Sequence, residues 1–176
     1  MSELTLTAGG DQSTREYEQP PLGECKAVLV DVILSKGQPT KFGVKDQVFL
    51  YFELEHLMDD NRPFLIRKKF NFSLNEKSNL YKFIQKWVGG LKPGKPFNIA
   101  SLKGKGCILE IEPWTPEGEP DKTLHLIDRA RKLDEAKWIK PSGEFDSAKT
   151  AERIEEKRKE TVAENPYPDV EDDVPF

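Results

Sequence analysis

Between Asp46 and Trp114 the apolar residues change their spacing twice, from every second position to every third or fourth and back again. In DQVFLYFELEHL, Val48, Leu50, Phe52 and Leu54 fall on one side and Phe49, Tyr51, Glu53 and Glu55 on the other, the period of a β-strand. After the turn MDDNRP, FLIRKKFNFSL alternates again. Phe64, Ile66, Phe70 and Phe72 share one face, interrupted by Lys68, and Leu65, Arg67, Lys69, Asn71 and Ser73 share the opposite one. In NEKSNLYKFIQKWVGG the period lengthens: Leu80, Phe83, Ile84, Trp87 and Val88 stand at i, i+3, i+4, i+7 and i+8, one apolar stripe of an amphipathic helix. Asn75 is placed to cap its start and Gly89-Gly90 to end it. Two further β-rich runs, GKGCILEIEPW and KTLHLIDRARKL, are joined by the turn-rich TPEGEPD. Upstream, CKAVLVDVILSKG sets Val28, Val30, Val32 and Leu34 against Leu29, Asp31 and Ile33 until Gly37 and Pro39 stop the run.

Three strands, a helix and two strands match the OB-fold, a five-stranded, partly open Greek-key barrel with its helix here between strands 3 and 4. The expected class is all-β, a barrel with one helix and disordered termini. A generic α+β sandwich fits the same string of elements, because strand pairing is not visible in sequence order. The barrel is assigned to residues 18–140, after a flexible arm over 1–17 and before a charged spacer and acidic interaction tail over 141–176. With 36% hydrophobic and 33% charged residues, the 176-residue chain has a low apolar share for a wholly packed protein.

No run approaches the ~20 apolar residues that a membrane helix requires. The start, MSELTLTAGGDQSTREYEQPP, has neither the basic start nor the apolar run of a secretory signal, so a cytoplasmic protein is expected. Cys25 and Cys107 lack the spacing of a zinc or redox pair and read as buried free thiols. Charge is unevenly spread. From Glu18 to Gly143 there are 21 Lys and Arg against 17 Asp and Glu, whereas Glu164 to Phe176 holds five acids and no base.

OB barrels bind oligonucleotides or oligosaccharides on strands 2 and 3, between the 1–2 and 4–5 loops. Here strand 2 offers Phe49 and Tyr51, and strand 3 offers Arg67, Lys69 and Asn71. The 1–2 loop SKGQPTKFGVKD supplies Lys36, Lys41, Phe42 and Lys45, and Trp114 opens the 4–5 loop. Rings on which unstacked bases lie, interleaved with cations that follow a phosphate backbone, are what a single strand requires. Phe49 and Trp114 read equally well as core residues, Tyr51 is taken as a surface aromatic, and Glu53 and Glu55 dilute the basic character. Catalytic readings find no support: His56 and His125 are isolated, LKGKGC lacks the P-loop pattern, and no nucleophile stands beside a base. No metal or cofactor is expected.

The segment SGEFDSAKTAERIEEKRKETVAE is rich in mixed charge and short of large apolar residues. It reads as a spacer with a transient helix, helped by pairs such as Glu155–Lys159 but without a stripe to dock. It leads to Asp169, Glu171, Asp172, Asp173, Val174, Pro175 and Phe176. The ending DDVPF closely resembles the acidic tip of bacterial and phage single-stranded DNA-binding proteins. TKFGVKDQVFLYFELE and RPFLIRKKFNFSLNEKSNLYKFIQKW resemble the small OB-fold proteins of phage and prophage replication modules, over about Glu24 to Leu133. The resemblance implies a non-enzymatic protein that coats single-stranded DNA with little sequence preference, in the host cytoplasm if phage-encoded. Its acidic tip would recruit replication or recombination proteins by capture in a basic pocket. The body lacks the sequence of the common bacterial protein, so its tetrameric assembly is not carried over, and a homo-oligomer is left open. A protein–protein adaptor and an RNA-binding OB domain are the alternatives.

Overall fold

The computed structural model describes residues 18–40 and 42–164. Five strands, β1 (Gly23–Thr40), β2 (Gly43–Leu57), β3 (Pro63–Asn71), β4 (Gly106–Trp114) and β5 (Leu124–Lys132), form one antiparallel sheet in the order β3-β2-β1-β4-β5. Helix α1 (Asn79–Trp87) lies between β3 and β4 as expected, and a second helix, α2 (Ser147–Glu164), follows β5. Two expectations are corrected here. The strands form an open sheet rather than a barrel, and the described residues contain two α-helices rather than one. Among the described residues no helix is long and apolar enough to cross a membrane.

The long central strand β1 pairs with β4 through Gly23–Val28 and with β2 from Ala27 to Thr40. Between Leu29 and Asp31 its register with β2 shifts, leaving Val30 as an extra residue. Cys25, Ala27 and Leu29 point into the main core before this bulge; beyond it Val32 faces that core and Ile33 packs on the other side. The single alternation read from the sequence is therefore split in two.

The main core lies between the inner sheet face and the α1 stripe. Leu80, Phe83, Ile84 and Trp87 are buried, and Phe83 meets Phe70 and Phe52 at ring distances of 5.0 and 6.3 Å. The cap of α1 also differs from expectation: the Ser78 hydroxyl accepts from the Tyr81 amide, while Asn75 accepts from the Lys77 amide and builds the preceding turn. Gly89 and Gly90, at φ 68° and 76°, carry the chain out of the helix.

The Trp87 indole donates to the Gly106 carbonyl at 3.1 Å, and Trp138 covers the same glycine. A Cβ at Gly106 would lie 2.5 Å from the Trp138 ring. Gly106→Ala is expected to lower stability by about 1–3 kcal/mol in urea denaturation, the usual effect of overfilling a packed site.

β3 and β5 remain edge strands, and Lys68 spans the gap between them. It occupies an inward position on β3, and its buried ammonium donates to the Ile127 carbonyl at 2.8 Å. Burial pushes its pKa down to about 8, against the opposing pull of Asp128. Above pH 8 the unfolded chain, with an ordinary lysine near 10.5, holds a proton that the folded chain has lost, so this group adds stability as pH rises between the two values. The buried thiols of Cys25 and Cys107, both raised by burial, act in the opposite direction. They cancel when Lys68→Met is compared with the parent. The stability difference between the two is expected to move in the parent's favour from pH 8 to 10.5 in parallel denaturant titrations. A difference that does not change with pH would place the amine in water.

Candidate nucleic-acid interface

The outer face of β2 and β3 is set by register. Gln47, Phe49 and Tyr51 stand opposite Asn71, Lys69 and Arg67 respectively. Sequence reasoning leaves this face open to solvent, but α2 lies across it. Ile33, Phe49, Tyr51 and Ile154 form a second buried cluster, with Val30, Phe145 and Ala151 packed against it. The Phe145 and Tyr51 rings are 5.1 Å apart. Phe49 and Tyr51 are left only 5% and 7% exposed, which corrects the reading of Tyr51 as a surface aromatic.

The spacer reading of 141–164 is corrected by the same contacts. Ala151 and Ile154 stand three apart on α2, and Phe145 just before it completes the apolar group. Burying Ile154 contributes ~1.5–3 kcal/mol. The helix is internally supported by Glu155, which pairs directly with Arg158 and also feels the charge of Lys159, and by Asp146, whose carboxylate accepts from the Lys149 amide at 2.9 Å.

Two buried carboxylates of the sheet hold the approach to α2. Glu53 on β2 accepts from both the amide and the hydroxyl of Ser142, each at 2.7 Å. Asp31 on β1, beside the bulge, accepts from the Ser147 hydroxyl, from the Val32 amide at 2.8 Å and from the Lys103 ammonium at 3.0 Å. Burial alone would raise the Asp31 pKa, but these bonds and the Lys103 charge outweigh it and hold the carboxyl below its ordinary value. Hydrogen bonds to charged groups contribute about 1.5–3 kcal/mol each. Glu55 accepts from the Lys26 amide at 3.0 Å. Neither glutamate lines the groove described next.

Between α2 and the β2–β3 face a groove of about 400 Å³ remains. Phe49 and Tyr51 contribute to its floor, Arg67 and Lys69 line the β3 side, and Arg153 and Lys157 line the α2 side. Among the described residues none of its walls is acidic. The Arg67 guanidinium sits 5.0 Å from the centre of the Phe49 ring, and the Gln47 amide donates to Asn71 at 3.0 Å. Such a groove attracts an extended polyanion and offers it guanidinium and ammonium donors.

Of the residues singled out in the sequence, Phe49, Tyr51, Arg67 and Lys69 are brought together in this groove, with Asn71 beside it. Lys36, Phe42 and Lys45 are exposed on the β1–β2 hairpin, whose Gln38 and Pro39 line the groove; Phe42 is 71% exposed. Lys41 lies outside the described residues, as do Asp169, Glu171, Asp172, Asp173, Val174, Pro175 and Phe176. Trp114 is half-buried at the end of β4, opposite Leu124, and does not line the groove. Arg153 and Lys157 were missed. Their four-residue spacing on one helix face was visible, but nothing in the sequence said that the helix docks.

No protein-family model matches the chain, and no curated protein matches it in sequence.

Ile154→Asp puts a carboxylate into the buried cluster and is expected to release α2. Hydrogen exchange followed by mass spectrometry should show lost protection in residues 147–164 while the β1–β2 ladder keeps its own. Unchanged protection in α2 would mean that Ile154 is not what holds it.

Proposed function

We propose that this protein binds single-stranded DNA, with little sequence preference, in the groove between the β2–β3 face and α2. The observation that carries this reading is the convergence of Arg67 and Lys69 on one side of the groove with Arg153 and Lys157 on the other. Phosphate contacts give affinity without reading sequence, and base stacking contributes ~1–3 kcal/mol per base whatever the base. The exposed ring of Phe42, on the hairpin that borders the groove, is the stacking surface nearest to solvent. The open five-stranded sheet with α1 between β3 and β4 is read as an OB-type barrel whose last edges stay apart. Coating rather than catalysis is the proposed role. The acidic residues from Asp169 to Phe176 are proposed to recruit replication or recombination proteins, on the strength of the resemblance of DDVPF.

A second reading, a protein–protein adaptor, is favoured by the cover over Phe49 and Tyr51, which removes two rings from the reach of bases. Fluorescence anisotropy with labelled oligo-dT, oligo-rU and a duplex of equal length separates the readings. The single-strand reading expects oligo-dT to bind well above the duplex. Binding to none of the three favours the adaptor, and preference for oligo-rU favours RNA. In the same assay Arg67→Ala and Lys69→Ala should each reduce the slope of log affinity against log salt by roughly 0.7, the value per neutralised phosphate on a single strand. Phe42→Ala should weaken binding by about 1–3 kcal/mol. Folded variants with the parent's affinity and slope would remove the groove from consideration.

A further inference from the structure

A second cationic cavity, of about 320 Å³, lies on the other side of β3, in the gap between the two edge strands and beneath α1. Its walls are Lys68 and Phe70 of β3, Asp128 and Arg129 of β5, and Asn79, Lys82, Phe83 and Lys86 of α1. Among the described lining residues there are four bases and one acid. Arg129 is already engaged by Glu110 at 3.1 Å and Asp128 at 3.3 Å, and the Lys68 ammonium by the Ile127 carbonyl. Lys82 and Lys86 are different. They are exposed and sit one turn apart on the same face of α1, and among the described residues neither ammonium has an ion-pair partner. Both line the cavity while remaining exposed.

The two cavities share β3 as a common wall. Arg67 and Lys69 line the outer groove while Lys68, between them, lines the inner cavity. β3 is laddered to β2 alone, so on its other side no strand ladder separates the two cavities, and the gap to β5 is crossed by the Lys68–Ile127 bond.

We propose that the single strand does not end in the outer groove but turns over the β3 edge, its phosphates continuing into the inner cavity against Lys82 and Lys86. The inference rests on the single-strand reading above and extends it from a groove to a wrapped path. The ligand class is the phosphodiester backbone. Phe70 and Phe83 line the cavity but are each only 4% exposed, so they form its apolar base and leave contact to the lysines at its mouth. A path of this kind has a length signature. A short oligomer is satisfied by the outer groove, and only a longer one reaches α1.

The test is the double variant Lys82→Gln/Lys86→Gln, with thermal melting to confirm that these exposed changes leave the fold intact. Affinity is measured over a salt series for oligo-dT of about 4 and about 16 nucleotides, the limits of common site sizes. The expected result is parent-like binding of the short oligomer, with weaker binding of the long one and a salt slope reduced by roughly 1.4, two phosphates at about 0.7 each. Parent-like binding of both lengths overturns the path, as does an equal loss for both. Arg67→Ala/Lys69→Ala serves as the reference. If that pair weakens both lengths and the α1 pair weakens neither, the path alone fails; if neither pair matters, the groove reading fails with it. Thymidine 5′-monophosphate and a peptide spanning Asn165 to Phe176 are titrated in parallel while the Lys82 and Lys86 amides are followed by NMR. Saturable shifts with either, and none with the long oligomer, would assign the cavity to that ligand and overturn the proposal.

Discussion

One unpaired residue, Val30, decides what the outer face of the sheet can hold. Without the bulge, the odd-numbered positions of β1 would continue inward from Cys25, Ala27 and Leu29, and Asp31 would carry a carboxylate into the main core. With it, Asp31 and Ile33 lie on the side where α2 docks. Asp31 then meets the Ser147 hydroxyl and Lys103, and Ile33 meets Ile154. The position of α2, the cover over Tyr51 and the far wall of the groove all follow from that one shift in register. A bulge is the usual device by which a strand re-aims its side chains in mid-course.

The parts of this fold that were legible in the sequence are those written in local periodicity. The α1 stripe from Leu80 to Val88 and the alternation of β2 and β3 have one physical solution each, and the structure adopts it. The parts that were not legible depend on two segments at once. β1 alternates cleanly on paper, but a bulge is a property of its pairing with β2. Ala151 and Ile154 are too sparse to mark a docking helix, because most of the apolar surface in that cluster comes from Ile33, Phe49 and Tyr51. Lys68 looked like a defect in the β3 pattern. Its acceptor, the Ile127 carbonyl, lies 59 positions further along the chain. Ser78 took the capping role from Asn75 because two side-chain acceptors three residues apart compete for one helix start, and only the local turn decides between them.

The electrostatics of the outer face result from a division of labour that composition hides. Two buried acids of the sheet on this side are engaged by the strap leading to α2, Glu53 by Ser142 and Asp31 by Ser147, with Lys103 as a second partner of Asp31. Arg67 and Lys69 line the groove from β3, and α2 adds Arg153 and Lys157. The helix thus takes Phe49 and Tyr51 out of solvent and supplies two of the four cations that remain. Acids and bases interleaved along these segments are separated in space, because burial selects carboxylates that have hydroxyl and amide partners and leaves the long basic side chains to snorkel.

The open gap between β3 and β5 is the remaining consequence. Were the sheet closed by a ladder there, the inner face of β3 would be sealed like that of β2, and a lysine at position 68 would be buried without an acceptor. A long side chain reaching the Ile127 carbonyl joins the edges at one point and leaves space on either side of the bond. Three consecutive cations on an edge strand also discourage pairing with a second chain, the usual hazard of an exposed edge. The sequence IRKKF therefore bridges the open edges with Lys68, lines the outer groove with Arg67 and Lys69, and protects the edge with all three. Only an edge strand permits this, since in a central strand the inward position belongs to the core.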